Sequence, residues 1–281
     1  MNQLVKPDRV DDIRSVPADA ERSAEVFSPE FSPAVLNIVT YRFGATPEAT
    51  RPDDMVRLPT AALLIQRRGQ LYEHVVAGQR VSLPRIALLG PTSRAHIWET
   101  DPNTEFTLVN LAPGATQALL GIDPREVREQ VQTLCGHALQ DVLIEPGQGS
   151  AAALNARLCA MIGRQVSSDW HVRRARRALV SLKQEQFGSH VQSYANHFGV
   201  TPRTLQRVVN KAVGLTTKQV LAIQRIRRLV TLTGLGWTRS IADLAQEAGF
   251  YDQSHMRYDM ERMRVGKVSQ MVKGDHILAE L

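Results

Sequence analysis

The 281-residue chain is 43% apolar and 22% charged, a balance that suits two ordinary globular domains. Its longest apolar runs, such as Ala61–Ile65, fall far short of the roughly 18–20 residues a membrane-spanning helix needs, and residues 1–8 lack the apolar core of a secretory signal. Two cysteines, Cys135 and Cys159, form neither a CxxC pair nor a metal-ligand cluster, so they read as free, structurally buried thiols of a reducing cytoplasm.

The net charge of +6 conceals an asymmetry. Residues 171–281 hold 18 Lys/Arg against 8 Asp/Glu, leaving 16 against 20 in residues 1–170. From Gln186 to Ala242 there is no acidic side chain, while Arg203, Arg207, Lys211, Lys218, Arg225, Arg227, Arg228 and Arg239 all lie in that stretch. Such a surface attracts a polyanion at long range, and counterion release supplies much of the binding free energy. A solvated basic face with no partner is the competing reading.

In chain order, residues 1–30 are rich in charge, Pro and Ala and read as a flexible N-terminal arm. From Ala34 to Leu111, short apolar runs alternate with Gly and Pro: Val35–Val39, Ala61–Ile65, Ile86–Leu89 and Phe106–Val109. These predict strands of a small β-rich domain. Helical spacing begins near Thr116, with Asp123-Pro124 as cap and first-turn residue of a next helix and another helix over 150–165. The polar segment 166–169 reads as a linker, and everything beyond it as helical.

One unit occurs twice in the last 110 residues. Val191, Ala195 and Gly199 in the first copy match Ile241, Ala245 and Gly249 in the second. Alanine lets two helices approach closely, and glycine supplies the backbone freedom for a sharp turn between them. A second helical run follows each glycine, 201–207 and 252–258, the first opened by Thr201 as N-cap and Pro202 at the first helical position. Between the copies, Val220, Ile223, Ile226 and Leu229 or Val230 mark one amphipathic helix tying the two units together.

These residues resemble the AraC/XylS family of transcription regulators over roughly Val191 to Gln270. Gly249-Phe250-Tyr251-Asp252-Gln253-Ser254-His255 is the most specific stretch; Gly199–Arg207 and Gly214-Leu215-Thr216 also match. The resemblance implies two helix-turn-helix units whose second helices enter successive major grooves. Carried over, it makes Thr201, Arg203, Thr204, Gln206, Arg207 and Lys211 the DNA-binding set of the first unit, and Gln253, Ser254, His255 and Arg257 that of the second. Arg pairs bidentately with guanine and Gln with adenine, while Thr204 and Lys211 suit phosphate contacts. RNA polymerase is an implied partner, and activation is favoured over repression by analogy alone.

The chain departs from the family pattern in its second unit. The usual Arg of that recognition helix aligns with Tyr258, and the acidic Asp259 and Glu261 lie nearby. A carboxylate facing phosphate repels it, so the first unit is expected to do most of the sequence reading. Leu58-Pro59, Gly90-Pro91 and the stretch 111–121 resemble an uncharacterised β-rich domain often joined to such C-termini. That likeness implies sensing or dimerisation, with a small-molecule effector and a homodimer as implied partners.

His74, His96, Glu99 and Glu73 are the candidate metal ligands of this domain, but their spacing favours solvated or hydrogen-bonded histidines, and no cofactor is expected. Trp98 reads as a core residue before an effector-pocket wall. Arg173, Arg174, Arg176 and Arg177 read equally as a phosphate-touching cluster or a solvated helix face. The expected fold class is α+β: a β-rich sensor over residues 31–165, and a helical double helix-turn-helix domain over 171–281. A cupin-like metal enzyme fused to a DNA-binding tail is the alternative, disfavoured by the absence of ligand spacing, a P-loop or a G-x-S-x-G motif.

Overall fold

The computed structural model describes residues 22–29, 32–46, 53–75, 79–144, 150–162, 191–234, 240–266 and 276–278. Within them, two β-sheets form the N-terminal half and a helical array forms the C-terminal half. The strands are β1 (Arg22–Phe27), β2 (Val35–Phe43), β3 (Asp53–Val56), β4 (Ala62–Arg68), β5 (Leu71–His74), β6 (Arg80–Ser82), β7 (Ile86–Leu89), β8 (His96–Thr100), β9 (Glu105–Leu111), β10 (Val131–Thr133) and β11 (His276–Leu278). The helices are α1 (Ala115–Leu120), α2 (Ala138–Ile144), α3 (Ala151–Ile162), α4 (Val191–His197), α5 (Pro202–Val213), α6 (Thr217–Gly234), α7 (Ile241–Glu247) and α8 (Gln253–Arg262).

The first sheet runs β1-β2-β9-β4-β7-β10 and the second β11-β3-β8-β5-β6. Every pairing is antiparallel except β11 on β3. Leu64, Leu108, Phe106, Tyr41 and Val39 of the first sheet meet Leu71, Met55 and Trp98 of the second in one core. Leu63, Ile65, Leu88 and Val109, on the other face of the first sheet, pack against Leu119, Leu139, Leu154 and Leu158 from α1, α2 and α3. Because this sheet is covered on both faces, β4 and β7 read as unbroken apolar runs rather than alternating ones.

The four expected strand cores fall inside β2, β4, β7 and β9, and Trp98 is a core residue. Several expectations are corrected. Residues 22–27, assigned to a flexible arm, are strand β1, held by a six-residue register against β2; residues 1–21 lie outside the described set. The arm's polarity misleads because β1 is an edge strand with only partly buried side chains. Asp123-Pro124 opens turns leading to β10, not a helix. Asp123 does cap there, but its carboxylate is taken by the backbone and guanidinium of Arg125. Cys135 is exposed, not buried. The C-terminal region is not wholly helical either, since β11 joins the edge of the second sheet. The linker 166–169 and the cluster Arg173–Arg177 lie outside the described residues.

The two halves share contacts. Arg227 of α6 is buried, and its Nη1 donates to the Val56 carbonyl at the end of β3, 2.7 Å away. Burial pulls this guanidinium down to about 10, opposed by the nearby Tyr41 phenol. The Ala95 amide donates to the Met263 carbonyl (2.7 Å), and the Gly114 amide to that of Ala212 (3.0 Å). Gly214, at φ +89°, closes α5 so tightly that a Cβ there meets the Pro124 carbonyl oxygen at 2.6 Å. Val56 and Ala95 consequently belong to the core of the helical half.

Candidate nucleic-acid interface

The repeated sequence unit is a repeated piece of geometry. In the first copy, the amide of Gly199 donates to the Asn196 carbonyl and that of Val200 to Ala195; in the second, Gly249 donates to Gln246 and Phe250 to Ala245. Both glycines have positive φ, +59° and +87°, the left-handed helix ending that favours glycine. Ala195 and Ala245 are fully buried, so a larger side chain at either would separate the paired helices. Each copy is thus a short first helix (α4, α7), a glycine turn, and a second helix (α5, α8).

The second helices open on matching caps. The Thr201 hydroxyl accepts the Thr204 amide at 3.2 Å, and the Asp252 carboxylate accepts the His255 amide at 2.7 Å. Counting from these caps aligns the helices without any reference to side-chain identity. Leu205, Val208 and Val209 are buried in α5, as are Ala212 and Val213 in its last turn, and Met256, Asp259 and Met260 occupy the positions of the first three in α8. The exposed positions then pair as Arg203 with Ser254, Gln206 with Arg257 and Arg207 with Tyr258, and the half-buried Asn210 matches the exposed Glu261. Arg203, Gln206 and Arg207 stand on one exposed face at the i, i+3, i+4 spacing of a single helix stripe, and Lys211 is exposed one turn on. In α8, Gln253, Ser254 and Arg257 are exposed likewise.

The remaining candidates have local duties. Thr201 and Thr204 share a 3.0 Å hydroxyl contact inside the cap. His255 accepts the Tyr251 amide through Nδ1 at 3.3 Å and stacks edge-on against Phe250. These three residues shape the start of their helices and present fewer free polar atoms than Arg203, Gln206 or Arg207.

Of the basic residues in the acid-free stretch, Arg225 and Arg227 are spent inside the fold, and Arg228 is paired at its surface. Arg225 meets Asp259 at 2.6 Å and lies over the Phe250 ring, Arg228 meets Glu247 at 2.8 Å, and Arg227 donates to Val56. Their partners come from beyond the stretch, which no count confined to it reveals. The Arg225 pairing also accounts for Asp259 of α8. It is buried beside Arg225 with Arg262 at 3.3 Å, so its charge is compensated and turned away from the surface. Glu261 alone remains as an exposed carboxylate on α8.

In the N-terminal half, Glu73 pairs with His96, and Glu99 lies 2.7 Å from His74 and 2.6 Å from Arg80. Both histidines are hydrogen-bonded to carboxylates rather than solvated. Among the described residues no group of three or more His, Cys, Asp or Glu side chains is placed to hold a metal ion. Burial pushes the Glu73 carboxyl up, but the hydrogen bond and charge of His96, with Arg57 behind them, outweigh it and hold the group below its ordinary value. Trp98 Nε1, Thr100 Oγ1 and His96 Nε2 are buried there without hydrogen-bond partners. Sequence reasoning missed this trio, because which β8 atoms are left unpaired depends on the strands opposite.

Residues 194–268 match a family model described as a helix-turn-helix domain. The match begins within α4 and ends just past α8, so it spans both helix-turn-helix units. Among solved structures, the chain is similar to ToxT from Vibrio cholerae at 13% identity and TM-score 0.43, over 83% of this chain and 97% of that one. The C-terminal domain of AraT, a response regulator from Geobacillus stearothermophilus, aligns at 19% identity and TM-score 0.33, over 38% of this chain and 90% of that one. The AraC-like transcriptional activator CuxR aligns at 12% identity and TM-score 0.26, over 83% of this chain and 89% of that one. No curated protein matches the chain. No helix among the described residues is long and apolar enough to cross a membrane.

Proposed function

We propose that this chain is a sequence-specific DNA-binding transcription regulator of the cytoplasm, reading adjacent major grooves with α5 and α8. The observation that carries this reading is the cap-matched pair of helices, each with its apolar stripe buried and its polar stripe exposed. Arg203, Gln206 and Arg207 form the dominant reader, Arg for guanine and Gln for adenine, with Lys211 on phosphate. Gln253, Ser254 and Arg257 form the second.

The units 31–165, extended to residue 22 by β1, and 171–281 divide sensing or dimerisation from DNA binding in this reading. Control by a small polar effector is supported by the unpartnered buried atoms of Trp98, Thr100 and His96, since buried polar groups are ordinarily satisfied. Contacts from β3 and β8 to α6 and Met263 give such control a path to the reading helices. Activation through RNA polymerase, and a homodimer, complete the proposal by family analogy. Selection from a random-sequence duplex pool by the full chain tests it: enrichment of one sequence spanning two successive major-groove segments supports it, and an unenriched pool refutes it.

A further inference from the structure

Tyr251 and Tyr258 are 83% and 63% exposed, the two most exposed large hydrophobic side chains among the described residues. Scattered exposed apolar residues are ordinary, but one of these two lies within a recognition helix and the other in the turn that leads into it. Counted from the caps, Tyr258 stands where α5 carries Arg207. Tyr251 is the one residue by which the second turn exceeds the first: Gly249, Phe250 and Tyr251 precede Asp252, where Gly199 and Val200 precede Thr201. Neither ring is needed to pack α8, whose core contacts are Met256, Asp259 and Met260. Arg257 beside Tyr258, with Arg262 and Arg264 further along, is exposed and suits a phosphate-lined groove.

We infer that Tyr258, flanked by Tyr251, makes α8 a reader of thymine through the base's C5-methyl group. This inference rests on the DNA-binding reading above and assigns the chemistry of its second half. An arginine at this position recognises guanine by two hydrogen bonds; a tyrosine ring edge has no such pair to offer. In the major groove the apolar feature available to a ring is the thymine methyl, which separates A·T from G·C pairs and thymine from uracil. The phenol hydroxyl remains free to meet a phosphate or a base acceptor. Helix α8 is therefore not a degenerate copy of α5 but one with a changed preference, guanine exchanged for thymine.

The test uses the full chain, the duplex it enriches from a random pool, and synthetic versions of that duplex in which each thymine in turn is replaced by deoxyuridine. Wild type is expected to lose about fourfold in affinity at one or two positions in the half-site under α8, the value of burying one methyl group. Tyr258→Phe keeps that discrimination, since the ring remains. Tyr258→Ala abolishes it while its thermal melt stays that of wild type, because the side chain is exposed. Wild type indifferent to uracil throughout the α8 half-site overturns the inference, as does an Ala variant that still discriminates. If the pool yields no enriched sequence, the DNA-binding reading fails and the inference falls with it; enrichment without a methyl effect sinks the inference alone.

Discussion

Arg225 and Asp259 are 34 residues apart in sequence and 2.6 Å apart in space, both nearly buried, and they tie the linking helix α6 to α8, the second helix of the second unit. Asp259 takes a helix position that is apolar in α5, where Val208 stands. Removing one partner strands the other charge, so Asp259→Ala is expected to cost roughly 3–5 kcal/mol. Arg225→Met with Asp259→Leu, which removes both charges, is expected to recover most of that loss. Denaturant unfolding of the variants measures both. A cost for Asp259→Ala below about 1 kcal/mol would show that the pair braces nothing.

Gly214 offers a test of the contact between the two halves. Gly214→Ala meets both an unfavourable left-handed backbone and the Pro124 carbonyl at 2.6 Å. Gly121 has a similar φ of +69° with nothing within 4 Å of its added Cβ. Gly121→Ala is therefore expected to cost only the backbone term, about 1–2 kcal/mol, with Gly214→Ala costing distinctly more. Equal losses in thermal unfolding would remove Gly214 from the interface between the halves.

Acid should weaken the second sheet. Glu73 is held below its ordinary value when folded, so the unfolded chain binds more protons as pH falls. Its contribution is complete above the ordinary carboxylate range, about pH 4.3, and is lost as pH drops through the lower folded value. Unfolding of wild type and Glu73→Gln from pH 7 to pH 3 should show a stability gap that is constant at the upper end and narrows below about pH 4.5. A gap that widens on acidification contradicts this sign.

Glu261 is the exposed acid on α8, the proposed second reader. Neutralising it in Glu261→Gln should tighten binding to any duplex at low salt, with the gain fading as salt screens the surface. Gel-shift titrations at two salt concentrations read this directly. Weaker binding by the Gln variant at low salt would place the carboxylate in a base contact, such as acceptance from cytosine N4.

Much of this architecture is legible in the sequence because it is local. Ala195 and Gly199, Ala245 and Gly249, and the caps that follow act within a few residues, so spacing alone yields two helix-turn-helix units. The helix over 220–230 follows from its apolar stripe. What the sequence hides is long-range. Strand β1 exists because β2 pairs with it, and β11 because β3 presents an edge. The destinations of Arg225, Arg227 and Arg228 lie on Asp259, Val56 and Glu247, each outside the stretch where the charge was counted. A single sequence shows the charge of Asp259 but not its burial, which the Arg225 side chain makes possible.

The most direct test of the two-helix account compares Arg207→Ala, Tyr258→Ala and wild type on one enriched duplex and its scrambled version. Wild type should prefer the enriched site by about a thousandfold or more. Arg207→Ala should lose roughly 1–3 kcal/mol on that site and almost nothing on the scrambled one, with Tyr258→Ala losing less. Wild type binding both duplexes equally, or Arg207→Ala matching wild type on the enriched site, would contradict the assignment of α5 as the principal reader.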